Sequence, residues 1–125
     1  SGGRHVVLAA SSLDNLDAAV DCWGGRVIAS EEQLDENHPV APFDMTANLA
    51  APLLGIFGND DRSPTTEQVD QHEAELKKHG KTYEFHRYDG AGHGFFSVNR
   101  PGYRPEQATA AWVEIFTWYE KYLSA

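Results

Sequence analysis

Apolar residues in this chain fall into short continuous runs separated by helical stripes. Pro52 to Phe57 (PLLGIF) is apolar throughout, as expected of a strand covered on both faces. Asp17 to Trp23 (DAAVDCW), ended by Gly24-Gly25, reads as a second buried strand, and Thr82 to Tyr88 (TYEFHRY) as a third. Between them lie helices. Residues 2–12 are small and apolar and predict a packed helix opened by two glycines. Residues 24–41 carry Glu31, Glu32, Asp35 and Glu36 and predict a surface loop or short helix bounded by Pro39 and Pro42, with one or two helical turns over 43–50. Ser63-Pro64 predicts an N-cap followed by proline at the first helical position; Val69, His72 and Leu76 then share a face, Lys77, Lys78 and His79 suit the C-terminal dipole, and Gly80 stops the helix. The last helix starts near Pro105 and sets Ala108, Ala111, Trp112, Ile115, Phe116, Tyr119 and Leu123 on one stripe. Strands alternating with helices predict an α/β fold, a mainly parallel sheet with flanking helices. Ligands in such sheets bind beyond the C-terminal ends of the strands.

The 125 residues bound the chain, residues 1–125, to one domain at most. Ten Lys+Arg against nineteen Asp+Glu give a net charge of −9, which repels phosphate backbones and anionic membranes and so predicts neither a nucleic-acid nor a membrane partner. Recognition of an anionic substrate would have to be local. A single cysteine, Cys22, excludes an intrachain disulfide and suits a reducing compartment. No apolar run reaches the length of a membrane span.

The chemistry concentrates at two strand ends. Gly90-Ala91-Gly92-His93-Gly94-Phe95 places a histidine in a glycine-rich loop after the third strand, and Gly58-Asn59-Asp60-Asp61 follows the second. A histidine there can approach other backbones and titrates near neutrality, as a general base requires; the alternative is a turn histidine bonded to its own loop. Asp60 would accept a hydrogen bond from His93 and fix its tautomer. Asp61 competes for that task and for capping the next helix; Asp60 is taken as the partner and Asp61 as nearer the cap. Ser1-Gly2-Gly3 fits either the second half of a G-x-S-x-G elbow or the position after a nucleophile, where the Ser1 backbone N–H would help form an oxyanion hole. Cys22, within an apolar run with no cation near it in sequence, reads as a buried structural thiol. His5, His38, His72, His79 and His86 show no metal-ligand spacing, and the glycines around His93 do not form a dinucleotide fingerprint, so neither metal nor cofactor is expected.

An acid and then a histidine, each just past a strand, is the order of the last two members of an α/β-hydrolase triad. Gly2 to Arg4 (GGR), Ala18 to Gly25 (AAVDCWGG), Ala51 to Asp61 (APLLGIFGNDD), Phe85 to Phe96 (FHRYDGAGHGFF) and Arg100 to Trp112 (RPGYRPEQATAAW) together resemble the C-terminal half of the dienelactone hydrolase (carboxymethylenebutenolidase) family. The resemblance implies the C-terminal portion of an α/β-hydrolase fold, a cytoplasmic enzyme without cofactors, and hydrolysis of a lactone or activated ester, often with a carboxylate. It makes Asp60 the triad acid and His93 the base. The family's elbow, G-x-C-x-G-G, laid on Ser1-Gly2-Gly3 puts the nucleophilic cysteine immediately before Ser1 and favours Ser1 as the oxyanion-hole residue. The nucleophile and the upstream substrate contacts then belong to an N-terminal half, and this portion alone is expected to be inactive. The partners expected are a small lactone or ester, and either that N-terminal half or a second copy across the sheet edge exposed along Ala18 to Trp23. A serine esterase or peptidase of the same superfamily, or a non-catalytic module of this fold, are the alternatives.

Overall fold

Three parallel strands, β1 (Ala19–Cys22), β2 (Leu53–Gly58) and β3 (Tyr83–Tyr88), lie in the order β1-β2-β3 in a computed structural model that describes residues 2–123. Leu53 pairs with Ala19 on one side and Tyr83 on the other, and Ile56 with Cys22 and His86. The central strand is buried along its whole length, which is why it is written in uninterrupted apolar residues. Among the described residues β1 pairs with β2 alone, so its other edge carries no strand.

Helices cover both faces. Leu53 packs with Ala19, Ala10 of α1 (Gly2–Ser12) and Leu76 of α2 (Thr66–Lys78). Leu54 and Ile56 point the other way, onto Phe95 and onto Ala111, Ile115 and Trp118 of α3 (Pro105–Leu123). Each large side chain so buried contributes about 1.5–3 kcal/mol, and the alternation along β2 divides that gain between the two layers. The polar stretch between β1 and β2 forms two short 3-10 segments, Glu31–Gln33 and Pro42–Asn48. No helix among the described residues is long and apolar enough to cross a membrane.

Two local expectations need correction. The cap of α2 is Thr65, two residues beyond Ser63. Thr65 Oγ1 accepts from the Gln68 amide at 3.2 Å, and Gln68 Oε1 accepts from the Thr65 amide at 2.9 Å. That reciprocal box needs Glu or Gln three residues on, which Ser63 lacks. The stripe of α3 is also rotated: Ala108, Ala111, Ile115 and Trp118 are buried, whereas Trp112, Phe116 and Leu123 are 45%, 65% and 53% exposed. The apolar arc is wider than the sheet contact. Its outer part stacks on itself, Phe96 on Trp112 at 4.9 Å and Trp112 on Phe116 at 5.6 Å between ring centres.

Candidate active site

The ends of β2 and β3 are joined main chain to main chain. The Asn59 amide donates to the Tyr88 carbonyl and the Asp60 amide to the Ala91 carbonyl, both at 2.9 Å. This continues the strand pairing into the histidine loop. Gly58 permits it: a Cβ there would lie 2.3 Å from the Ala91 carbonyl oxygen. Gly90 and Gly94 bracket His93 with φ of +74° and +68°, a region unfavourable to other residues. Ala91 and Phe95, both fully buried, anchor the loop from beneath. From α3's side, Arg104 Nε donates to the Gly90 carbonyl at 3.1 Å and Gln107 Nε2 to the Asp89 carbonyl at 3.0 Å.

Gly58→Ala is therefore expected to cost about 1–3 kcal/mol, as overpacking of rigid backbone does. Urea unfolding checks the cost, and hydrogen exchange at the Asp60 amide should show its protection lost. Unchanged protection would mean that the two loops are not held through this contact.

The pairing fixes which carboxylate meets the histidine, and it is not Asp60. Asp60 spends its amide on Ala91 and its side chain is turned to solvent. The chain then turns, the Asp61 amide reaching back to the Gly58 carbonyl at 3.2 Å. Asp61 thereby points inward: Oδ1 accepts from the Ser63 amide at 2.9 Å, and Oδ2 lies 2.8 Å from His93 Nδ1. The expected cap role is not found, since α2 is capped by Thr65; Asp61 instead closes the turn at Ser63 with one oxygen and meets the histidine with the other. The Asp61 side chain is 3% exposed and that of His93 51%. With Asp61 ionised, His93 Nδ1–H donates and Nε2 is left unprotonated, the state of a general base. Ser1, the expected oxyanion-hole residue, lies outside the described residues.

Trp23 backs His93 at 6.3 Å between ring centres and packs on Phe95 and Phe96. His93 and Asp61 open onto a pocket of about 460 Å³, whose other walls are Arg4, Gly25, Arg26, His38, Arg62 and Ser63. Arg4 is almost wholly buried and donates to the Val40 carbonyl at 2.7 Å. Among the described residues none of these three arginines is ion-paired with a carboxylate. Their convergence was not legible in the sequence, because they come from three separate segments.

Cys22 is no rival nucleophile. Burial, aided by the neighbouring Asp21, pushes its thiol up to about 11. His72 is buried under α2 and pushed down to about 4 by loss of solvent. Three residues not grouped by sequence reasoning do meet: His86 Nε2 is 2.7 Å from Glu84 Oε2 and 3.3 Å from Glu114 Oε2. Their donor atoms are close enough to hold a cation. Half in solvent and away from the pocket, the cluster is accounted for by the hydrogen bond between His86 and Glu84.

Comparisons with known proteins bear on family and fold. A family model described as the dienelactone hydrolase family matches residues 1–123. A protein of Methylorubrum extorquens with the provisional name carboxymethylenebutenolidase is 34% identical over 121 residues, 97% of this chain and 40% of its own length. One from a Bradyrhizobium species, provisionally named 2-oxo-3-(5-oxofuran-2-ylidene)propanoate lactonase, is 32% identical over 111 residues, 89% of this chain and 43% of its own length. The chain thus spans less than half of these relatives. A Klebsiella pneumoniae crystal structure described as a dienelactone hydrolase superposes with a TM-score of 0.88 at 30% identity, over 96% of this chain and 48% of the other. A puromycin-hydrolysing peptidase of Mycobacterium tuberculosis, at 17% identity and a TM-score of 0.80, shares the fold.

Proposed function

The chain belongs to the dienelactone hydrolase family, and from that premise we propose that the full-length protein opens a lactone or activated ester bearing a carboxylate, with Asp61 and His93 as acid and base of the triad. The observation that carries this reading is the 2.8 Å contact between a shielded Asp61 and an accessible His93 at the mouth of a pocket. In this reading His93 Nε2 takes the proton of the elbow cysteine that the family places immediately before Ser1, and the thiolate attacks the ester carbonyl. Asp61 holds the ring and stabilises the imidazolium. As the tetrahedral intermediate collapses, the carbon–oxygen bond breaks and His93 returns the proton to the departing oxygen. A water, deprotonated by His93, then cleaves the thioester, releasing the hydroxy acid and restoring the thiol.

Arg4, Arg26 and Arg62 support the anionic substrate. Three arginines without carboxylate partners among the described residues, in a chain of charge −9, make a local positive field in an acidic surface. The test is hydrolysis, by the full-length protein, of an enol lactone with a free carboxylate and of its methyl ester. The free acid is expected to show at least about tenfold higher kcat/KM, equivalent to about 1.4 kcal/mol, and the preference should vanish in the Arg26→Ala, Arg62→Ala double variant. Absence of turnover on both lactones and on an activated ester would overturn the proposal.

A further inference from the structure

One buried acid is absent from this scheme. Asp21, in β1, has no exposed surface. Its Oδ1 accepts from the Gly24 amide at 2.8 Å, and its Oδ2 has no partner among the described residues. The backbone closes tightly around it. A Cβ on Gly3, in the first turn of α1, or on Gly24 would lie 2.3 and 2.5 Å from Oδ1. A carboxyl enclosed by two glycines in this way holds the β1 exit against the start of α1.

What it holds is a strained corner. Trp23 and Arg26 have φ of +46° and +59°, a region costly for side chains with a Cβ. Such conformations persist only where the surroundings over-determine them, and they cluster at functional sites. The corner touches both halves of the acid–base pair. Trp23 packs against His93. Gly25 lies against Ser63, close enough that a Cβ would stand 2.6 Å from Ser63 Oγ, and the Ser63 amide is the donor that fixes Asp61 Oδ1.

We propose that Asp21 is a positioning residue for the Asp61–His93 pair, acting through the corner from Trp23 to Gly25. The proposal rests on the reading of that pair as catalytic. Asp21 touches neither substrate nor reacting atoms; it fixes the Gly24 amide, and the corner transmits that placement to Trp23 behind the base and to Ser63 behind the acid.

The test uses the full-length protein with Asp21→Ala, Asp21→Asn and Gly25→Ala. Asparagine keeps an acceptor for the Gly24 amide and is expected to hold kcat within about threefold of wild type, whereas alanine lowers kcat at least tenfold with KM changed less than threefold. The downfield proton resonance of His93 Nδ1–H, which reports its bond to Asp61, should persist in Asp21→Asn and be lost in Asp21→Ala. If Asp21→Ala does not fold, Gly25→Ala serves: it leaves Asp21 intact, presses on Ser63, and is expected to lose the same resonance. Retention of the resonance in folded Asp21→Ala, or in Gly25→Ala, overturns the proposal, as does equal impairment of Asp21→Asn and Asp21→Ala. Should wild type hydrolyse neither lactone nor ester, the catalytic reading fails on its own, and the resonance still decides whether Asp21 positions the pair.

Discussion

His93→Ala and Asp61→Asn are each expected to reduce ester hydrolysis by the full-length protein about 10³–10⁴-fold, whereas Asp60→Asn should cost less than about threefold. The three differ in geometry. His93 is reachable and hydrogen-bonded to Asp61, Asp61 is shielded and points inward, and Asp60 faces solvent. Asparagine at position 61 retains shape but can offer its amide group to Nδ1, which favours the tautomer with the proton on Nε2 and removes the base. Both loops are held by main-chain bonds, so folding stability should change by less than about 1 kcal/mol in His93→Ala and Asp60→Asn, whose side chains are exposed. In Asp61→Asn, whose shielded carboxylate accepts from Ser63, it should fall by about 1–3 kcal/mol. Kinetics on an activated ester alongside urea unfolding would check both expectations. A strong loss in Asp60→Asn with little in Asp61→Asn would reverse the assignment.

Asp21 should make the folded state less stable as pH rises from about 4 to about 7. Burial, opposed by the Gly24 amide, pushes its carboxyl up from 3.8 to about 7. Between those values the folded state holds a proton that the unfolded chain has released. Unfolding therefore gains free energy with each step in pH until the folded carboxyl also ionises, and the loss is constant above that. The difference is worth up to about 4 kcal/mol. Asp21→Asn, which imitates the protonated acid at every pH, is expected to gain on wild type by about 2–3 kcal/mol between pH 5 and pH 8. Denaturant unfolding of both proteins at the two values measures this, and a gap that does not widen would show that Asp21 is ionised and stabilised at neutral pH.

Much of the fold was legible because burial on both faces leaves a plain mark: β2 is an apolar run with no room for another reading. The helices followed from spacing, but spacing alone could not orient α3, where Trp118 is buried and Phe116 is not. That choice depends on what lies against the helix. The site was legible as to its loops and not as to its carboxylate. Asp60 and Asp61 are adjacent and chemically identical, and only the bond from the Asp60 amide to the Ala91 carbonyl decides which one turns inward. Asp21 left a faint signal, an acid between Val20 and Cys22 in an apolar strand ahead of Gly24-Gly25. Its partners Gly3 and Gly24 are contacts of backbone, which no side-chain pattern announces.

The join at Gly58 and Ala91 bears on how such a pocket diversifies. Because the Asp61 and His93 loops are tied through peptide groups, their relative placement does not depend on the side chains at the pocket rim. Arg26, Arg62 and His38 stand on separate segments at the rim. Descendants of such a chain can exchange them for neutral or bulky groups, and so reshape the pocket, while inheriting the Asp61–His93 contact intact.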